Sequence, residues 1–173
     1  MELAAHLAER ISSTRARTLA AWVEQSPERR QQLMALAASS HTRTATNALW
    51  LLALLPKSAS HWLQAQQNHL IDMVMTAHDA GHRRILMQIL RAQDYPKEGI
   101  RTDFMDFCLT KINSKTEAYG VRAYCIYCAF RMCRHYPEMT AELSRHLDML
   151  AGGQLPPGLR CALRRTRAAI IRH

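Results

Sequence analysis

Leu55-Pro56-Lys57, Tyr95-Pro96-Lys97 and Tyr136-Pro137-Glu138 each close one apolar helical stretch and open another. They recur about every forty residues, a period typical of stacked helical hairpins, since one hairpin cannot bury its apolar face alone. The stretches between them are rich in Ala, Leu, Arg, Met and Gln, with six Gly and six Pro in the whole chain. These are helix formers, and the β-branched and aromatic enrichment of strands is missing. A chain of 173 residues can bury a substantial core. The reading is all-α: residues 1–173 as a single helical-repeat domain, a right-handed α-α superhelix of four to five hairpins.

Periodicity places about ten helices, each start marked by a cap or a proline. Leu3, Leu7 and Ile11 stack at i, i+4, i+8 over 3–11. Ser12-Ser13-Thr14 caps a second helix to about 25, and Ser26-Pro27-Glu28 starts a third to about 38. Further helices are expected over 42–55, 58–77, 83–92, 99–112, 119–135, 139–150 and 158–171, with 78–81 as a turn.

The second helices of the pairs resemble one another. Residues 14–22 (TRARTLAAW) match residues 42–50 (TRTATNALW) at five of nine positions. Gly81-His82-Arg83, Gly120-Val121-Arg122 and Gly158-Leu159-Arg160 repeat a Gly-x-Arg start at intervals of 39 and 38 residues. Glycine there suits a tight connection that calls for positive φ.

On these residues the chain resembles the HEAT/ARM-type repeat proteins. The likeness rests on arginine near the start of each second helix (Arg43, Arg83 or Arg84, Arg122, Arg160) followed by small and apolar residues such as Ala48-Leu49 and Ala162-Leu163. It implies a scaffold that presents helix faces to a partner. It also implies that some of these arginines tie turns to nearby acids, and Asp79 with Arg84 and Glu117 with Arg122 share a spacing of five. The chain is similar as well to short bacterial helical proteins labelled adenylosuccinate lyase. The Ser-Ser-x-Met-Pro-x-Lys-x-Asn loop of the true lyases is absent here, and their three-subunit active sites need a longer bundle.

The net charge is +9, and no acid follows Asp148, whereas Arg160, Arg164, Arg165, Arg167 and Arg172 do. Arg160, Arg164 and Arg167 share one helical face, a stripe that would suit an acidic protein or a phosphate backbone. Few aromatics lie near it for stacking on bases. Five cysteines, an odd number, sit in apolar helical stretches, and residues 1–6 (MELAAH) lack the basic and long apolar regions expected of a signal peptide. Free thiols and a cytoplasmic location are therefore expected. The longest apolar run, 48–56, is too short to span a membrane.

Candidate chemistry is sparse. Cys125-x-x-Cys128 lies mid-helix without a second pair, so its thiols read as small core residues rather than zinc ligands. His78 and His82 have metal-ligand spacing, but a turn at Gly81 breaks the helix they would share. Trp22, Trp50 and Trp62 with Asp72, Asp79 or Asp106 raise a helical-repeat DNA glycosylase, yet no catalytic acid aligns, and Trp22 and Trp50 read as packing between repeats. No phosphate loop or nucleophile elbow is present. The expectation is a non-catalytic interaction module without metal or cofactor that binds a protein partner. Arg43, Arg83, Arg84, Arg122, Arg160, Arg164 and Arg167 are its candidate contact residues. The alternative is a nucleic-acid-binding or DNA-repair protein with a basic groove.

Overall fold

The structure, a computed structural model, describes residues 2–173. Eleven α-helices account for them: α1 (Leu3–Ala8), α2 (Ser13–Glu24), α3 (Pro27–Ala37), α4 (Thr42–Leu54), α5 (Ser60–Ala65), α6 (Gln67–Thr76), α7 (Ala80–Arg91), α8 (Thr102–Ile112), α9 (Tyr119–Cys133), α10 (Pro137–Ala151) and α11 (Pro157–Arg172). No strand occurs among the described residues. Short 3₁₀ turns, Lys57–Ala59 and Lys97–Gly99, follow Pro56 and Pro96, while Pro137 is the first residue of α10. The three proline signals therefore mark turns, as their spacing predicts. The fold is all-α, of the α-α solenoid class.

Starts are fixed locally. The hydroxyl of Ser12 accepts the N–H of Arg15 at 3.2 Å, and Ser26 accepts that of Arg29 at 3.4 Å with Pro27 as the first helical residue. His41 caps α4 by accepting Thr44 N–H at 3.3 Å. Asp79 caps α7, its Oδ1 accepting His82 N–H at 2.9 Å. That bond stabilises the ionised carboxylate and holds Asp79 below its ordinary pKa.

Three expectations need correction. The first helix stops at Ala8 rather than Ile11, because the Asn47 amide of α4 takes the carbonyls of Leu7 and Glu9, both at 2.9 Å. The stretch 58–77 is two helices broken at Gln66, whose N–H turns back to the carbonyls of Trp62 and Leu63. The turn at 78–81 ends sooner than periodicity suggests, since α7 already begins at Ala80. The Gly-x-Arg glycines are consequently not positive-φ connectors, and no described residue has positive φ. Gly81, Gly120 and Gly158 are each the second residue of a helix, which makes Arg83, Arg122 and Arg160 each the fourth.

The chain divides into two compact units, 1–89 and 90–173. In the first, α4 packs on α1, α2 and α3 over a core that includes Leu3, Leu7, Leu33, Leu49 and Leu52. In the second, α9 packs on α8, α10 and α11, α8 also meets α10, and α10 meets α11. The C-terminal unit is therefore two layers, α8 with α10 and α9 with α11. Phe104, fully buried, stacks on Tyr95 (ring centroids 6.3 Å) and Phe107 (6.2 Å) at the heart of this unit.

Candidate interaction surface

An α-helix ends with carbonyls that have no intrahelical partner, and a left-handed glycine often closes them. With positive φ absent among the described residues, the ends are closed by backbone bonds of the last turn and by arginines of later helices. On α3, Arg29 donates to the Trp22 carbonyl (3.0 Å) and Arg30 to that of Glu24 (3.3 Å), at the end of α2. Arg83 of α7 reaches the Ala77 carbonyl at the end of α6 (2.9 Å). On α9, Arg122 Nε reaches the Ile112 carbonyl at the end of α8 (2.9 Å), and Arg131 donates to that of Gln93 just beyond α7. Each guanidinium also places its charge at the negative end of a helix dipole.

This accounting divides the seven candidate arginines. Arg83 and Arg122 are half-buried and engaged with backbone. Arg43, Arg84, Arg160 and Arg164 are exposed and make no hydrogen bond or ion pair with other described residues. Arg167 pairs with Asp148 of α10 at 2.6 Å, so the C-terminal stripe is partly neutralised from the preceding helix. The spacing-of-five ties are corrected too. Asp79 caps α7 and leaves Arg84 in solvent, while the buried carboxylate of Glu117 pairs with Lys111 Nζ at 3.1 Å.

A larger pattern lies in how charge is divided between helices. Helices α4, α7, α9 and α11 together carry eleven arginines and no Asp or Glu. The remainder has twelve cations against fourteen acids, a net of −2, so these four helices hold more than the entire net charge of +9. In the C-terminal unit this becomes a difference between layers, since α8 and α10 carry Asp103, Asp106, Glu138, Glu142 and Asp148. Two surface depressions follow the division. One, of about 360 Å³ between α8 and α10, is lined by Asp106, Glu138, Glu142 and His146 over Leu109 and Met139. Glu142 is ion-paired with Arg145, which keeps its carboxyl below the ordinary range. The other, of about 550 Å³, lies between the end of α10 and α11, with Arg160 and Arg167 beside Leu155 and Leu163.

The other sequence candidates fall elsewhere. Cys108, Cys125 and Cys128 are buried together, and the Tyr95 hydroxyl lies 3.9 Å from Cys128 Sγ. Burial first, then the neighbouring thiols, pushes the Cys108 thiol well up, and burial with the carboxylates of Glu142 and Asp106 takes Cys133 to about 12. All five thiols are free, but Cys161 is half-exposed and does not belong to the core. His78 is exposed and His82 bonds to Thr46 Oγ1 at 2.7 Å. Among the described residues no group of three or more His, Cys, Asp or Glu is disposed to hold a metal, and no helix is long and apolar enough to cross a membrane. Trp22, Trp50 and Trp62 are half-buried rather than core, with Arg29 stacked 3.9 Å over the Trp22 ring. Asp72 and Asp106 are exposed.

Sequence reasoning missed one aromatic feature. Arg91, the last residue of α7, lies over Tyr127 of α9, its Cζ 4.2 Å from the ring centroid, with Tyr124 at 5.7 Å. The sequence holds no spacing rule that joins these residues, because they meet only through helix packing.

Helix pairs joined by short turns, with donors that close helix ends, define a helical-hairpin repeat protein. The family model of the HEAT repeat domain matches residues 3–170, and the chain belongs to this family. No curated protein and no solved structure matches the chain.

Proposed function

We propose that this HEAT repeat chain is a non-catalytic interaction module that binds a protein partner through the exposed sides of α4, α7, α9 and α11. The observation that carries the reading is the segregation of charge: eleven arginines and no acid on α4, α7, α9 and α11. Helices that needed charge only for solubility would mix both signs, as α10 does with Glu138, Glu142, Arg145 and Asp148. One-signed helices within each unit instead steer an oppositely charged partner and fix its register. Arg43, Arg84, Arg160 and Arg164 are the contact residues, being exposed with no internal partner. Arg167 contributes once Asp148 lets it go, whereas Arg83 and Arg122 support the fold beneath. The chemistry is that of recognition, without metal or cofactor, in the cytoplasm.

Photo-crosslinking in cells tests this. A crosslinking residue at position 84 or 164 is expected to trap a discrete protein, and one at position 145 on α10 is expected to trap none. Equal products from all three positions would overturn the reading. The same arginines suit phosphate, so nucleic acid is the second reading. Tight binding of fluorescent DNA, with a salt slope that falls by close to one unit for each of Arg160, Arg164 and Arg167 removed, would establish it.

A further inference from the structure

Arg91 is the one half-buried arginine on α9's side of the C-terminal unit whose partners are aromatic rings alone. Its guanidinium carbon lies over the Tyr127 ring and near Tyr124, with no hydrogen bond or ion pair to other described residues. The N–H groups of Arg91 therefore have no internal acceptor. Their fork matches a carboxylate in bidentate geometry, and the apolar ring behind it reduces competition from water.

The segment that carries Arg91 is held firmly. Tyr95 donates its hydroxyl to the Leu90 carbonyl at 2.8 Å, Arg131 donates to the Gln93 carbonyl, and His135 Nε2 lies 2.7 Å from the Tyr95 carbonyl. Three side chains thus pin residues 90–95, two of them from α9 and the segment after it. Nothing on α9 competes for the fork, since that helix contains no acid. A fork held in advance loses little entropy when it binds.

We infer that Arg91, lying over Tyr127 beside Tyr124, is a carboxylate-receiving site for an acidic segment of the protein partner. The inference rests on the proposed interaction role and names the chemistry of one contact. Carboxylate is favoured over a nucleobase because the guanidinium already covers ring surface that a stacked base would need.

The probe is a fluorescein-labelled hexaglutamate peptide, followed by anisotropy at two salt concentrations, with oligothymidylate of the same length beside it. Arg91→Ala is expected to weaken hexaglutamate binding about tenfold, the loss of one charge-assisted fork. Arg91→Lys is expected to recover only part of it, because an ammonium keeps charge without the fork. Tyr127→Leu, which keeps every charge, is expected to weaken binding as well, and Arg145→Ala on α10 is expected to leave it unchanged. Thermal melts confirm that each variant is folded, and Arg91→Lys carries the test if Arg91→Ala is not. Hexaglutamate binding that ignores Arg91→Ala, or full recovery by Arg91→Lys, would overturn the site. So would oligothymidylate binding that is tighter and equally dependent on Arg91. If hexaglutamate ignores Arg91 while crosslinks at positions 84 and 164 persist, this inference alone fails and the interaction role stands.

Discussion

The turn between α8 and α9 and the turn between α10 and α11 lead into the same register, glycine second and arginine fourth in the helix that follows. Their construction differs. In the first, Ser114 Oγ accepts the N–H groups of Thr116 (3.3 Å) and Glu117 (3.1 Å), the Glu117 carboxylate pairs with Lys111, and Arg122 closes the Ile112 carbonyl. In the second, the N–H groups of Gly152 and Gly153 bond back to the carbonyls of Met149 and Leu150, both at 3.3 Å. The end of α8 has a backbone bond too, Ser114 N–H to the Lys111 carbonyl at 3.1 Å, but only there does an arginine join it. Arg160 serves no carbonyl and lies on the rim of a groove. A repeated motif fixes where an arginine sits. The turn before it decides whether that arginine holds the fold or faces a partner.

The largest test of this contrast removes each arginine in turn. Arg122→Ala is expected to cost about 2 kcal/mol, within the range for a hydrogen bond made by a charged group. Arg160→Ala is expected to stay within about 0.5 kcal/mol, as for a surface change that breaks nothing. Denaturant unfolding at constant m-value reads both. Equal losses would erase the distinction between the two turns.

A second test separates the thiols buried on α8 and α9 from the one on α11. Cys108 and Cys133 are neutral in the fold with their thiols raised, so the native state keeps protons that the unfolded chain gives up. Stability from these groups is complete below an unfolded thiol pKa of about 8.5 and is lost as pH rises towards the native value, about 12 for Cys133. Each such thiol steepens the fall by up to about 1.4 kcal/mol per pH unit in that window. Melting curves between pH 8 and 10, taken on wild type and Cys133→Ala, are expected to show the slope reduced in the variant. Cys161, half-exposed on α11, should react first with a thiol reagent under native conditions. Uniform reactivity of all five thiols would contradict the buried placement.

Helices α9 and α11 differ inside as well. Thr166 of α11 is 2% exposed and its hydroxyl has no partner, whereas the buried face of α9 is closed by apolar groups and thiols. Thr166→Val is expected to stabilise by about 1 kcal/mol, since an apolar group of the same shape relieves an unmet donor and acceptor. Loss of stability on that change would mean the hydroxyl is satisfied by water.

Most helices, the proline turns and the arginine near second-helix starts were legible because each is a local choice, whereas the break at Gln66 was not. Pro56, Pro96 and Pro137 act on their own neighbourhoods, and a cap such as Ser12 or Ser26 acts within three residues. The early end of α1 was not legible, because Asn47, some forty residues away, takes the carbonyls there. Arg122 could be expected to hold a turn, but an acid five residues earlier was the wrong partner, since a helix end offers a carbonyl that sequence does not display. The Asp148–Arg167 pair and the placement of Arg91 over Tyr127 likewise depend on which helices lie side by side. The absence of acid from α4, α7, α9 and α11 can be read from the sequence, though only once the helices are considered separately instead of the last helix alone.

The smallest effect concerns the glycines of the Gly-x-Arg register. Both Gly81 and Gly158 are second residues of helices with ordinary negative φ, so alanine fits either backbone. A Cβ on Gly158 would meet nothing within 4 Å, in keeping with the open turn before α11. Gly158→Ala is therefore expected to stabilise by about 0.5 kcal/mol, by reducing the freedom of the unfolded chain. A Cβ on Gly81 would come within 3.0 Å of Asp79 Oδ1, the atom that caps α7. That carboxylate can swing away only by weakening its bond to His82 N–H, so Gly81→Ala is expected to gain nothing or to lose a few tenths of a kcal/mol, the entropic gain being offset by the cap. Calorimetric melts of the two variants measure the difference. A gain at Gly81 as large as that at Gly158 would show that the Asp79 cap contributes little, and that the two helix starts differ less than their contacts suggest.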